Sequence, residues 1–296
     1  MQELRRRVAM ASQSEVVGTI DLSMVNNAGK ARQSMVTANC YLVHKAGDYC
    51  LPLVYGNAIK NGVENTVAYS PGGTTSSTYC ANFVNHNGTS ITGPWITKSG
   101  NGIDSGMGIT ISSADLLWQD AQSLITSVSV EGDYLYFTVG TFSQGNALIA
   151  VRDENGNIAW SWHIWATTEK LNSTTAINTG YHTYNVAPVN VGWVPTSSDG
   201  CSGYCTFYQW GRKDAFIPST GTYANKNHTV YNINNNTVTG ITYKNAKIGI
   251  ADNIKNPTLH YCYGSTMAPT STTYYNMWDA QNTLTGQNIK TATKKT

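Results

Sequence analysis

Short apolar runs separated by Gly, Asn, Ser and Thr make up most of this chain, and the clearest runs alternate with a period of two. That period belongs to β-strands, in which successive side chains point to opposite faces. No helical periodicity extends beyond about ten residues. We therefore predict an all-β fold of antiparallel sheets joined by long loops. In the best example, 158–165, one predicted face holds Ile158, Trp160, Trp162 and Ile164, and the other holds Ala159, Ser161, His163 and Trp165.

Two hairpins are predicted between residues 113 and 166. Each consists of two apolar runs around a turn: Leu124–Val130 with Tyr134–Val139, and Ala147–Val151 with Ile158–Trp165. The first turn is centred on Gly132. The second contains Asn155-Gly156, the favoured pair for a two-residue hairpin loop, because both turn positions need a positive φ.

A third hairpin is predicted from residues 40–44 and 49–55, turning at Ala46-Gly47. This register places Val43 opposite Cys50, so that Cys40 lies on the other face. A disulfide between Cys40 and Cys50 is therefore disfavoured.

Helical signals are weak, and we expect at most one or two turns at Ser112–Asp115 and at Tyr274–Asn282. The Thr-, Ser- and Asn-rich segment 167–180 marks a boundary between two regions. We expect a disordered leader at residues 1–15, a first β-rich domain at 16–168 and a second β-rich domain at 181–296.

Composition limits the classes of partner. Charged residues make up 12% of the chain, about half the usual share, and the net charge is +2. Nucleic-acid binding needs a clustered basic face, whereas the basic clusters here, Arg5–Arg7 and Lys294-Lys295, lie at the two ends. No apolar run is long enough to span a membrane, and Val8–Ala11 is too short for the apolar region of a signal peptide. We expect neither nucleic-acid binding nor a membrane span.

No motif for enzyme chemistry or for a cofactor is recognisable. Asp153–Asn157 has the oxygen-rich residues of a calcium loop but lacks its later ligands, and a hairpin turn explains it fully. Asp120 has no second carboxylate that a motif would pair with it for glycoside hydrolysis, and His163 is expected to be structural. Cys201 and Cys205 could close a small loop or supply half of a zinc site, but no second ligand pair follows. We therefore predict no metal, no cofactor and no catalytic residue.

The candidate ligand-binding residues are aromatic and charged side chains in the C-terminal half. Residues 208–216 contain a Trp-Gly step and an Arg-Lys-Asp triplet, a density of mixed chemistry unlike that of a solvated loop. Tyr208, Trp210 and Arg212 alternate and would share one strand face, where a cation–π contact could form. We predict ligand binding by these three residues and Asp214, supported by Trp193. The alternative is an internal Arg–Asp pair beside a core tryptophan.

Six segments together resemble one group of bacterial proteins. They are Thr37–Val43, Tyr55–Gly62, Gly145–Val151, Ile158–Trp165, Pro188–Trp193 and Tyr208–Phe216. Their order and content resemble fimbrillin-like surface proteins of gut Bacteroidales and proteins with a Fibrobacter succinogenes major paralogous domain. The resemblance covers roughly residues 37–290.

This resemblance implies a β-sandwich domain at 16–168 followed, at 181–296, by a partial C-type-lectin-like domain. It implies a non-enzymatic cell-surface adhesin or fimbria-associated subunit that binds glycan or protein ligands outside the cell. Calcium-dependent sugar binding is not implied, because the Glu-Pro-Asn, Gln-Pro-Asp and Trp-Asn-Asp motifs are absent. An incomplete last domain would expose a sheet edge, to which a pilus or virion subunit could add a strand.

Two alternatives to this function stay open. One is a phage or virion receptor-binding or capsid-decorating protein, located on the virion. The other is a polysaccharide-associated hydrolase or carbohydrate-binding module, which would need two carboxylates in an aromatic-lined cleft if it were a hydrolase.

Overall fold

The computed structural model describes residues 18–69, 84–100, 102–169, 171, 174–196, 202–208, 213–216, 229–238, 243–244, 250–258 and 260–261. Strands dominate these residues, which confirms the all-β prediction. The strands are β1 (Ile20–Asp21), β2 (Cys40–Val43), β3 (Gly47–Pro52), β4 (Ile59–Lys60), β5 (Val63–Glu64), β6 (Ile111–Gln119), β7 (Ile125–Glu131), β8 (Tyr134–Val139), β9 (Gly145–Asp153), β10 (Ile158–Ala166), β11 (Thr175–Asn178), β12 (Thr183–Val186), β13 (Val194–Pro195), β14 (Gly203–Tyr204), β15 (Phe207–Tyr208), β16 (Ala215–Phe216), β17 (Tyr243–Lys244) and β18 (His260–Tyr261). Helical structure in the described residues comprises α1 (Ile250–Lys255) and the 3₁₀ turns Leu22–Met24 and Thr66–Ala68.

Eight of these strands form two four-stranded sheets. The order is β1-β3-β8-β7 in the first sheet and β2-β10-β9-β6 in the second. Neighbours pair antiparallel, except that β1 with β3 and β2 with β10 are parallel. The two sheets share one hydrophobic core, to which the first contributes Leu51 and Phe137 and the second contributes Ile149, Trp160 and Trp162. Burial of such large apolar side chains is the main favourable term in folding.

Both hairpins predicted between residues 113 and 166 are present, as β7 with β8 and as β9 with β10. The second turn differs from the prediction, because only Gly156 of the Asn155-Gly156 pair has a positive φ, at +78°. The Asp153 carboxylate accepts hydrogen bonds from the backbone N–H groups of Asn155 and Asn157. These bonds hold a wider loop that needs a single left-handed residue.

The same five-residue loop occurs four times in the described part of the chain. A side-chain oxygen at its first position accepts hydrogen bonds from the N–H groups of its third and fifth residues, and its fourth residue has a positive φ. The loops are Asn26–Lys30, Asn85–Thr89, Asp153–Asn157 and Asn232–Asn236. This recurring loop, which sequence analysis did not identify, gives many of the Asn residues a structural role at turns.

The hairpin predicted at Ala46-Gly47 is wrong. β2 and β3 lie in different sheets, β2 beside β10 and β3 between β1 and β8. Both strands send alternate side chains into the shared core, so the local pattern of the two runs matches that of a hairpin although the chain changes sheet between them. Cys40 and Cys50 are buried free thiols, in agreement with the prediction that they are not bridged.

The helical turn predicted at Ser112–Asp115 is also wrong, because these residues belong to β6 and lie beside β9. The segment Tyr274–Asn282 and the leader 1–15 lie outside the described residues. No helix within the described ranges has the length and apolarity needed to cross a bilayer.

Both faces of β10 are buried, which positions the features described below. One face meets the shared core, and the other carries Ser161, His163 and Trp165. On this outer face Trp165 packs with Leu171 and Trp193. Farther along the same sheet, Leu148 of β9 packs with Ala215 and Val230. Segments of the C-terminal half therefore cover the outer face of the second sheet.

Candidate functional site

The hairpin of β11 and β12 stands out from the rest of the molecule by its exposure. Every residue of both strands is exposed to solvent. In the part of the chain that the structure describes, the two strands pair with each other and with no other strand. An isolated two-stranded hairpin is at best marginally stable in water, so this exposure is unusual for a segment that serves only the fold.

The two faces of this hairpin differ in chemistry. Its register places Ile177 opposite Tyr184 and Thr175 opposite Val186. Directly opposed residues share a face, and we name this set of four the apolar hairpin face. The opposite face consists of Ala176, Asn178, Thr183 and Asn185. On the apolar hairpin face, Ile177, Tyr184 and Val186 are 48%, 42% and 42% exposed.

The tip of the hairpin is closed by its own hydrogen bonds. The Thr179 N–H donates to the His182 carbonyl at 3.0 Å, and the Gly180 N–H donates to the Asn178 side-chain oxygen at 2.8 Å. Tyr181 extends from the tip and is 92% exposed. The His182 ring lies edge-on to Tyr184, with 6.1 Å between ring centroids. The tip therefore presents aromatic rings without a charged neighbour in the sequence on either side.

The base of the hairpin is anchored on the outer face of the second sheet. Leu171 before it and Val189 and Trp193 after it pack against a cluster that includes Leu42 and Trp165. The indole N–H of Trp165 donates to the Trp193 carbonyl at 3.0 Å. Trp193, which the sequence predicted to support ligand binding, lies partly buried in this anchor.

Gly192 brings the backbone of the anchor against the sheet. Its carbonyl accepts a hydrogen bond from the Asn146 amide at 3.0 Å. Its φ is +71°, and an added Cβ would lie 2.3 Å from Oγ1 of Thr206 and 2.8 Å from Oδ1 of Asn146. Only glycine fits this close approach without displacing its neighbours.

The other predicted ligand-binding residues fall in or beside the β15–β16 hairpin. The backbone of Tyr208 in β15 pairs with Ala215 in β16. The side chain of Tyr208, and the whole of Trp210 and Arg212, lie outside the described residues. Asp214 is buried, with its side chain 3% exposed. Of the predicted set, the structure thus places Trp193 and Asp214 against the outer face of the second sheet, in two separate contacts.

Asp214 belongs to a buried ion pair. The Lys213 ammonium lies 2.6 Å from Oδ1 of Asp214 and donates to the carbonyl and the hydroxyl of Ser161 at 2.9 and 2.6 Å. The Ser161 hydroxyl in turn donates to Oδ1 of Asp214 at 2.5 Å. The ammonium also lies 4.4 Å from the ring centroid of Trp160, a cation–π distance. This cluster fastens the segment before β16 to the middle of β10.

A second polar chain runs across the outer face from β2 to the loop after β6. The Cys40 sulfur lies 3.3 Å from Nδ1 of His163, and Nε2 of His163 lies 2.9 Å from Oδ1 of Asn146. The Asn146 amide group donates to Oδ2 of Asp120 at 2.8 Å and to the Gly192 carbonyl. Both amide protons are thus used, so Oδ1 of Asn146 accepts, Nε2 of His163 carries the proton, and Nδ1 accepts from the thiol.

Burial favours the neutral form of Cys40, His163 and Asp120. It raises the pKa of the Cys40 thiol well above its usual value and lowers the pKa of His163 to about 3. It also raises the pKa of Asp120 to about 6, against hydrogen bonds from Asn146 and Tyr204 that lower it. The order Cys, His, Asn matches that of thiol hydrolases, but those enzymes need a thiolate. A neutral thiol beside a neutral imidazole can act as a hydrogen-bonded tie, which is the structural role predicted for the buried His163.

No group of three or more His, Cys, Asp or Glu side chains within the described ranges is arranged to hold a metal ion. Asp153, which opens the oxygen-rich loop considered above, accepts from Asn155, Asn157 and His86 instead, the last at 3.0 Å. Cys205 is a free thiol, and Cys201 lies outside the described residues.

Comparisons with known proteins identify no relative of this chain: no protein-family model, no curated protein and no solved structure matches it.

Proposed function

We propose that this chain is a non-enzymatic interaction protein of the bacterial cell surface, an adhesin or fimbria-associated subunit, whose contact surface is the β11–β12 hairpin. The observation that carries this proposal is the complete exposure of a hairpin with one apolar face. Contiguous exposed apolar surface on a folded protein marks an interaction site far more often than single exposed residues do. The resemblance in the sequence supports the cell-surface location.

The polar clusters on the second sheet support a structural role for the residues that look most reactive. Ser161 and Cys40 are 1% and 2% exposed. The Ser161 hydroxyl donates to Asp214 and so ties a C-terminal segment to the sheet, and the Cys40 thiol is hydrogen-bonded to His163 within the sheet. We therefore assign the buried outer face to anchoring and the hairpin to binding. In this proposal the C-terminal half acts as a platform that fixes the base of the hairpin and leaves its tip free.

The chemistry of the hairpin indicates the class of ligand. Aromatic side chains with neighbouring amides suit sugar rings, and aliphatic β-branched residues suit protein surfaces. Ile177 and Val186 lie on the same face as Tyr184, which favours a protein ligand for that face.

We extend the proposal to the architecture of the resembled proteins, a β-sandwich at 16–168 followed by a partial C-type-lectin-like domain. The shared core of the two sheets supports its first part.

A binding assay with matched variants tests this function. Wild-type protein, Tyr184→Ala and Thr183→Ala would be passed over surfaces carrying mucin glycans, purified wild-type protein or an unrelated β protein. Residues 183 and 184 are adjacent and lie on opposite faces, so the pair controls for general damage to the hairpin. We expect wild type to bind a glycan or protein surface and Tyr184→Ala to bind it at least about tenfold more weakly, the effect of losing a well-packed aromatic contact. Equal binding by all three proteins, or binding by none, would overturn the proposal.

A further inference from the structure

The apolar hairpin face and the tip of the hairpin together expose four large apolar side chains. Ile177, Tyr184 and Val186 with Tyr181 at the tip expose 48%, 42%, 42% and 92% of their surfaces, which together leave on the order of 400 Å² of side-chain surface in water. A scattering of exposed apolar residues is normal on protein surfaces. Here three of the four lie on one face of a two-stranded ribbon, and the fourth adjoins it.

The lack of charge around the hairpin indicates which kind of surface covers the apolar hairpin face. From residue 171 to residue 198 the sequence contains no Asp, Glu, Lys or Arg. A partner that binds through charged groups would find no complementary charge on this hairpin, whereas two copies of the hairpin can approach without like-charge repulsion. The absence of charge from the core of a contact surface is also what distinguishes interfaces from the rest of a protein surface.

The arrangement of residues on the apolar hairpin face is complementary to the same face of a second copy. Ile177 and Tyr184 are directly opposed across the two strands. A two-fold axis close to this pair would place Ile177 of each copy against Tyr184 of the other, the isologous arrangement of symmetric dimers. Two copies would bury at most about 800 Å² through these side chains, less than the roughly 1,200 Å² at which standard interfaces begin.

We infer that the apolar hairpin face is a self-association surface, which a second copy of this chain covers. This inference rests on the proposed function, because it names the protein partner of the same hairpin. The interface is small, so the dimer is weak in solution and gains strength when many copies are held together on one surface.

Sedimentation equilibrium with charge-substituted variants tests the inference. Wild type would be compared with Ile177→Lys and Tyr184→Lys on the apolar hairpin face, and with Ala176→Lys and Asn185→Lys on the opposite face. The substitutions add the same charge at adjacent positions, so only the face differs. We expect wild type to show a monomer–dimer equilibrium between about 1 and about 500 µM, the first two variants to weaken it at least about tenfold, and the other two to change it less than about threefold.

Two results would overturn the inference. One is a wild-type protein that stays monomeric through this concentration range, and the other is an equal effect of lysine on both faces. Circular dichroism melting of each variant checks that the fold is intact, which the exposure of all four positions leads us to expect. If self-association fails but Tyr184→Ala still weakens binding to a mucin surface, the second copy is excluded while the proposed function stands. If both assays fail, the proposed function falls with it.

Discussion

Replacing Asp214 with alanine would remove the carboxylate from the buried ion pair that fastens the C-terminal half to β10. The Lys213 ammonium lies 2.6 Å from Oδ1 of Asp214, and both side chains are 3% exposed. At an effective dielectric constant of about 20, two unit charges at this separation attract by about 6 kcal/mol, part of which is offset by the cost of removing them from water. Loss of one partner strands the other charge in the interior, so we expect a loss of about 3–5 kcal/mol in the free energy of unfolding.

Chemical denaturation with double-variant comparison measures this loss. Lys213→Met combined with Asp214→Leu removes both charges and should recover stability to within about 2 kcal/mol of wild type, because no unpaired charge remains. Asp115→Ala is the matched control, since its ion pair with Arg152 has side chains 42% and 31% exposed, and such pairs contribute less than about 1 kcal/mol. The melting temperature of Asp214→Ala should fall by roughly 10 °C.

The reasoning would be refuted if Asp214→Ala unfolded within about 1 kcal/mol of wild type. If that variant also lost ligand binding, Asp214 would be the ligand-binding residue that the sequence predicted. Stability lost with binding retained would instead assign Asp214 to the anchor.

Three further substitutions test the core, the polar chain and the anchor. The Tyr55 hydroxyl is buried and has no hydrogen-bond partner among the residues that the structure describes, so Tyr55→Phe should raise the free energy of unfolding by about 1 kcal/mol. The control Tyr49→Phe loses a 2.8 Å bond to the Lys45 carbonyl and should lower the free energy of unfolding by a similar amount. The pKa of Asp120 is raised to about 6 in the folded protein, so its contribution to the free energy of unfolding is fully present below about pH 4 and is lost as pH rises through 6. In denaturant titrations between pH 4 and 7, the free energy of unfolding of wild type should fall by about 2–3 kcal/mol relative to that of Asp120→Asn. A pH-independent difference would show that Asp120 does not titrate in this way. Gly192→Ala should lower the free energy of unfolding by at least about 2 kcal/mol, because it adds a steric clash to an unfavourable φ. The control Gly156→Ala has the unfavourable φ but lies in open space, and it should cost only about 1 kcal/mol. Equal melting temperatures for the two variants would contradict the close approach of Gly192 to Thr206 and Asn146.

Local sequence signals predicted the parts of the fold that are themselves local. Alternation between Ile158 and Trp165 and the turn after Asp153 were sufficient for the β9–β10 hairpin. The parallel pairing of β2 with β10 joins Cys40 to His163, 123 residues apart. Nothing in the composition of the run around Cys40 distinguishes such a distant partner from the nearer run around Cys50, which explains the wrong hairpin.

The candidate site was missed for a related reason. The first strand of the hairpin, β11, falls within the Thr-, Ser- and Asn-rich segment 167–180 that was interpreted as a boundary, and the second strand, β12, falls at the start of the domain predicted at 181–296. The predicted residues were chosen for dense aromatic and charged chemistry, and for Asp214 that chemistry serves a buried ion pair. The aromatic residues that the structure exposes, Tyr181 and Tyr184, lie in sequence without any charge to attract notice. Exposure depends on what covers a strand, and a single sequence does not contain that information.

Hydrogen–deuterium exchange at low and high protein concentration tests the central claim that the hairpin is a contact surface. Peptides covering 174–188 report on the hairpin, and peptides covering β9 and β10 report on the core. Because a marginal hairpin opens readily unless a partner covers it, the account predicts that its amides exchange rapidly in dilute protein. The exchange of the hairpin amides should be at least about tenfold slower in concentrated protein or with a bound ligand, while the exchange of amides in β9 and β10 stays constant. Hairpin amides that exchange at the same rate under all these conditions would contradict the claim that the hairpin is a contact surface.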